Sequence, residues 1–90
     1  MDIVIYTNEE VLEHKRRDGG VYWEFSRMPK NIKVGDRIFF AVKNFVQGSF
    51  RINYIDSEVY KEIDFGSGGW KSLKKKIPCK PFRSFRYKWW

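Results

Sequence analysis

Val21-Tyr22-Trp23-Glu24-Phe25-Ser26-Arg27-Met28-Pro29, a basic connector, and then Val34-Gly35-Asp36-Arg37-Ile38-Phe39-Phe40-Ala41-Val42-Lys43-Asn44-Phe45-Val46-Gln47-Gly48-Ser49-Phe50 organise this chain. Val21, Trp23 and Phe25 alternate with Tyr22, Glu24 and Ser26, the pattern of a half-buried strand over 21–27. Pro29 has no N–H to give to a ladder, so it ends that strand. Gly35 and Asp36 predict a tight turn, because Gly accepts positive φ and Asp bonds to nearby backbone. The turn opens Arg37–Val42, whose nearly continuous apolar run predicts a central strand covered on both faces. Lys43-Asn44 reads as a two-residue hairpin turn. A fourth strand runs from Phe45 to about Ile55. Gly48 within it marks a bulge or bend, and Phe50, Ile52 and Tyr54 point one way.

Working outward, Ile3–Tyr6 is a short first strand. Thr7 and Glu10 form a capping-box pattern for a helix over Asn8–Arg17. Glu9 and Glu10 suit the positive end of its dipole, and Lys15, Arg16 and Arg17 the negative end. Asp18-Gly19-Gly20 is its stop signal. Only Val11 and Leu12 are apolar, so this helix can cover an edge but not form a core alone. Val59, Ile63 and Phe65 alternate with Tyr60, Glu62 and Asp64, which favours a fifth strand, with one or two helical turns over Glu58–Ile63 as the alternative. Gly66-Ser67-Gly68-Gly69 is a loop. Trp70–Lys76 reads as a short second helix or an extended basic segment, and Phe82–Trp89 as a last strand. The expected class is mainly β (α+β): five to six short strands with one N-terminal helix. Such a set removes its edges by curling into a small barrel.

Ninety residues predict a single domain over 1–90. A domain this small buries only about 60% of its unfolded surface, and aromatic residues at 19% of the chain supply the bulk its core needs. The single Cys79 excludes an internal disulfide and a Cys-rich metal site. Apolar runs fall short of the ~20 residues of a membrane span. Met1-Asp2-Ile3 lacks the basic start of a secretory leader, so the expected compartment is the cytosol, with no membrane partner.

Charge is unevenly placed. The chain carries 18 Lys/Arg and 11 Asp/Glu, yet eight of the cations and none of the acids lie beyond Asp64. A basic third of this kind points to an anionic partner such as nucleic acid, an acidic protein or a membrane surface, with a solvated face that aids solubility as the plainer reading. The catalytic inventory is poor. His14 is the only histidine, so no Ser-His-Asp or Cys-His set can be assembled without it. Cations near Cys79, between Pro78 and Lys80, could lower its pKa, yet a lone Cys is more often incidental. Metal ligands do not cluster, and Gly66–Ser72 lacks the spacing of a phosphate loop. No catalytic residue, metal or cofactor is implied. Binding chemistry is richer: cations meet phosphates while aromatic faces stack on unpaired bases. The candidate contacts are Lys74, Lys75, Lys76, Arg83, Arg86 and Lys88 for phosphates and Trp70 or Trp90 for a base. Arg27, Lys30 and Lys33 would form the rim of a pocket floored by Trp23, though Trp23 also suits a core wall. Phe85, Tyr87 and Trp89 fall on the core side of the last strand, and Arg86, Lys88 and Trp90 on the other. Without a recognition helix, RNA or a single strand is favoured over duplex.

Trp23–Pro29, Ile32-Lys33-Val34-Gly35-Asp36-Arg37-Ile38-Phe39-Phe40 and Val46–Phe50 together resemble the PUA-like superfamily, which includes the PUA, ASCH, EVE and YTH domains. The shared pattern is a strand, a basic connector, a Lys-x-Gly-Asp-Arg opening of the next strand, and an early Gly in the one after. Phe82–Trp90 resembles the closing strand of small ASCH-like proteins. The resemblance implies a mixed five- or six-stranded pseudo-barrel that binds RNA or DNA, with an aromatic pocket for a modified base in EVE and YTH relatives. Some ASCH proteins are small amidohydrolases, but the Gly-x-Lys-x-x-Glu-x-Arg signature of ASCH domains is missing here. Two other readings stand beside nucleic-acid binding: an interaction module for an acidic protein, and a hydrolase of a modified nucleoside.

Overall fold

A computed structural model describes residues 1–18 and 21–90, without the side chain of Asp18. The expected helix stop at Gly19-Gly20 lies outside the described residues. Along the chain run β1 (Ile3–Tyr6), α1 (Glu9–Asp18), β2 (Tyr22–Glu24), β3 (Arg37–Val42), β4 (Phe45–Arg51), β5 (Tyr54–Asp56), β6 (Glu62–Asp64), β7 (Lys71–Ser72) and β8 (Arg86–Tyr87). Among the described residues the molecule is mainly β with one helix. They hold eight short strands rather than five or six, and these form two open sheets.

The larger sheet has the order β7-β4-β3-β1-β8, with β3 at its centre as its apolar run requires. β1 and β3 pair in parallel, Val4 beside Phe39, and α1 lies in the crossover between them. β3 and β4 form a hairpin whose turn residues Lys43 and Asn44 have φ of 52° and 71°, so both adopt the left-handed angles a two-residue turn demands. The Tyr6 hydroxyl holds that turn by accepting the Asn44 N–H at 2.9 Å. The ladder slips between Phe40 and Ala41: Phe40 faces Gly48 and Ala41 faces Val46, so Gln47 is the extra residue of a bulge next to Gly48. At the other end of β3, Gly35 has φ +99° in a turn closed by the Asp36 N–H on the Lys33 carbonyl at 3.0 Å.

The helix begins one residue later than the capping box predicts. Asn8, not Thr7, is its cap, accepting the Val11 N–H at 2.8 Å, while the Thr7 N–H serves β3 through the Ala41 carbonyl. The fourth strand divides. Ile52 leaves the ladder to bond the Asp36 carbonyl, and the Asn53 N–H turns to Asp64, so the chain passes from the large sheet to the small one. Phe50 and Ile52 are buried as expected, but the division reverses the phase and exposes Tyr54. The small sheet has the order β2-β6-β5. The strand expected over 59–65 is shorter because the Asp56 carboxylate accepts the N–H groups of Glu58, Val59 and Tyr60 and folds 57–60 into a turn. Val59 is 73% exposed in consequence.

The inner faces of both sheets and Leu12 of α1 share the main core, centred on Phe40, Phe50, Ile63 and Phe65. The outer face of the large sheet carries a second, smaller core of Val4, Phe39, Ala41 and Val46, covered by Leu73, Ile77, Cys79, Phe82 and Trp90. The layers are therefore small sheet, main core, large sheet, second core and C-terminal segment. Trp70–Lys76 is extended, not helical: Lys71 and Ser72 pair with Ser49 and Gly48, and the Leu73 N–H bonds the Gln47 carbonyl. Among the described residues no helix is long and apolar enough to cross a membrane.

Candidate nucleic-acid interface

The C-terminal segment is laid on the large sheet by apolar side chains at irregular spacing, which turns its cations outward. The Val46 N–H bonds Ile77, the Cys79 N–H bonds Asn44, and the Lys88 N–H bonds Asp2, each through the backbone carbonyl, so the segment is fixed at three points. Lys74, Lys75, Lys76, Arg83, Arg86 and Lys88 are all exposed. Arg86 pairs with Val4 and Tyr87 with Ile3. Strand alternation then sends Arg86 to the outer face and Tyr87, with Phe85, to the main core.

Aromatic rings lie under these cations. The Arg86 guanidinium sits 4.7 Å from the Trp89 ring and 5.7 Å from Phe82, and Lys88 Nζ sits 5.4 Å from Trp90 and 5.6 Å from Phe39. Trp90 stands edge-on to Phe39 at 5.0 Å and to Trp89 at 5.1 Å. Trp90 is thus seated on the sheet, while Trp89 is 40% exposed and held from two sides. Strand alternation assigns Trp89 to the core. β8 ends at Tyr87, so period two no longer governs the residues after it. The signal that could have found Trp89 is the tandem Trp pair, since one ring of the two has to leave the sheet.

The other two sequence-suggested tryptophans are elsewhere. Trp23 packs on Phe40 at 5.5 Å and is roofed by Lys15 Nζ at 5.1 Å. Burial pushes the Lys15 ammonium below its usual pKa, and Nζ donates to the Tyr22 carbonyl at 3.0 Å. Trp70 packs on Phe50 at 5.1 Å, lies under Arg16 at 5.1 Å, and donates its indole N–H to Ser72 Oγ at 3.0 Å. Both belong to the main core, on the opposite side of the large sheet from Trp90, so the three tryptophans do not ring one cavity. Arg27, Lys30 and Lys33 are exposed on the connector. That connector is tied to β8 by the Tyr87 hydroxyl, which accepts the N–H groups of Lys30 at 3.2 Å and Asn31 at 3.3 Å. The connector therefore meets β8 on the Tyr87 side, facing the main core, and not on the outer face that bears Arg86. Arg37 is occupied structurally, with Nε donating to the buried Ser49 Oγ at 2.9 Å.

Cys79 is 3% exposed, and burial pushes its thiol above the usual pKa against a smaller opposing pull from Arg86. These surroundings favour an incidental cysteine over one activated by nearby cations, as expected of a lone Cys. We expect a thiol-reactive chromogenic reagent to label Cys79 slowly in the folded chain and at the free-thiol rate in denaturant; equal rates in both would contradict this burial. Among the described residues no group of three His, Cys, Asp or Glu side chains is placed to hold a metal ion.

Compared with protein-family models, curated proteins and solved structures, the chain matches none.

Proposed function

We propose that the chain binds single-stranded nucleic acid, RNA in the first instance, along the outer face of its C-terminal segment. Lys74, Lys75, Lys76, Arg83, Arg86 and Lys88 meet phosphates, and Trp89 stacks on a base. The observation that carries this reading is the exposed Trp89 ring held between Arg86 and Trp90, in a stretch with eight cationic and no acidic side chains. An unpaired base offers a π-face to such a ring and a stacked duplex does not. The kinship with PUA-like domains is proposed with it, on the Lys33–Arg37 turn that opens the central strand.

The test is a fluorescence titration with a short oligouridylate RNA at several salt concentrations. Binding is expected to quench tryptophan emission and to weaken steeply with salt. Trp89→Ala is expected to lower affinity roughly tenfold, since base–aromatic stacking is worth about 1–3 kcal/mol. Its melting temperature stays near the parent's, because the ring is half outside. Absence of binding at low salt ends the proposal. An acidic protein partner would engage the same cations and leave the affinity of Trp89→Ala for RNA without meaning.

A further inference from the structure

The outer face of the small sheet is the electrostatic opposite of the C-terminal segment. In β2, β6 and β5 the residues Trp23, Ile63 and Ile55 point into the main core. Their neighbours point out, and the register aligns them in two rows. Tyr22, Asp64 and Tyr54 form one row, and Glu24, Glu62 and Asp56 the other. The turn after β5 adds Glu58 and holds Val59 and Tyr60 to solvent, at 73% and 68% exposure, because the Asp56 carboxylate ties down its three N–H groups. Those bonds hold the Asp56 carboxyl below its usual pKa, first through the Val59 N–H, so the carboxylate stays charged.

We propose that this face docks the basic C-terminal segment of a second copy of the chain. The occupant is argued from complementarity within the molecule itself. Arg86 and Lys88 stand two residues apart on an extended segment, and the two acidic rows stand two residues apart along their strands. The rows are about 6.6 Å apart at a strand rise of about 3.3 Å per residue, and Arg86 and Lys88 are both exposed on the segment. Tyr22 and Tyr54 flank Asp64 two strand spacings apart, about 9.6 Å, which leaves a slot for a flat guanidinium against an aromatic face. Because donor and acceptor faces lie on opposite sides of the layered molecule, the contact is head-to-tail and does not close into a dimer.

Sedimentation equilibrium of nucleic-acid-free protein tests this. Exposed ion pairs are individually weak, so the weight-average mass is expected to rise without a dimer plateau at about 0.1–1 mM protein in low salt. It returns to the monomer value near 0.5 M salt, where the Debye length is about 4 Å. Glu24→Gln/Glu62→Gln and Arg86→Gln/Lys88→Gln are each expected to be monomeric alone and to form a capped one-to-one pair when mixed, since one retains the basic segment and the other the acidic face. The Glu24→Gln/Glu62→Gln variant is expected to bind oligouridylate as the parent does, which keeps this result separate from the RNA titration. A parent monomeric throughout in low salt overturns the proposal, as does association that survives Glu24→Gln/Glu62→Gln. A monomeric parent that captures oligolysine through Tyr22 and Glu62 also overturns it, in favour of a foreign basic segment.

Discussion

Gly48→Val is expected to cost about 3 kcal/mol, at the upper end for overpacking a tight site. In a domain of this size that lowers the melting temperature by roughly 12–24 °C. A Cβ at Gly48 would overlap the Lys71 carbonyl oxygen and come within 2.6 Å of Trp70 Cζ2 and 2.9 Å of Cη2. Neither neighbour can give way cheaply. The carbonyl belongs to β7, which pairs with β4 at this point. The indole is clamped by Phe50, Arg16 and Ser72 Oγ, and swinging it out would uncover Phe50 in the main core. Small domains hold only about 0.05–0.15 kcal/mol of stability per residue, so this loss removes a large share of the total. Gly35 offers a contrast: open space surrounds a Cβ there, and only its φ of +99° penalises a side chain. Gly35→Ala is expected to cost less than Gly48→Val. Thermal unfolding followed by circular dichroism and tryptophan emission checks both, and a Gly48→Val chain melting within about 3 °C of the parent would refute the crowding argument.

Replacing Lys74, Lys75, Lys76, Arg83, Arg86 and Lys88 together by Gln is expected to reduce affinity for oligouridylate by about 10³-fold near 0.1 M salt. The reasoning is counterion release: each phosphate contact to a single strand contributes about 0.7 to the slope of log affinity against log salt. Six lost contacts would flatten that slope by about 4. All six side chains are exposed, so the fold is expected to persist, which a melting curve on the same sample verifies. Gln at Arg27 and Lys33 is expected to act weakly, because the connector meets β8 on the Tyr87 side, away from the proposed interface. An unchanged salt slope in the six-fold variant would remove the C-terminal segment from the proposed interface.

Several parts of this arrangement are legible in the sequence, and for local reasons. Arg37–Val42 is read correctly because its apolar run is bounded by a Gly-Asp turn and a Lys-Asn turn. The alternation over 21–25 puts Val21 and Phe25 inside and Tyr22 and Glu24 outside, as the structure has them. Gly48 marks its bulge because close backbone approach excludes any Cβ. Other features depend on contacts distant in sequence. Ile52–Asn53 looks like mid-strand, and only pairing with Asp36 and Asp64 shows that the chain changes sheets there. Asp56 captures three N–H groups and withdraws Val59 from the ladder, a competition between side chain and backbone that apolar alternation does not register. Trp23 and Trp70 carry good stacking chemistry, yet α1 folds Lys15 and Arg16 over them. The cluster of exposed cations on the C-terminal segment is legible in the sequence, since charge is additive along a chain. Which ring is left open is decided by how the segment beyond Ile77 crosses the sheet.

The segment that bears those cations is also the roof of the second core. Val4 and Phe39 are sealed from water by the same backbone that presents Arg86 and Lys88 on its far side. Anything that grips those two side chains from outside raises the free energy needed to lift the roof. Amide deuterium uptake in β1 and β3, strands the ligand never touches, then becomes a gauge of occupancy: it slows as the outer surface fills and recovers as salt strips the ligand away.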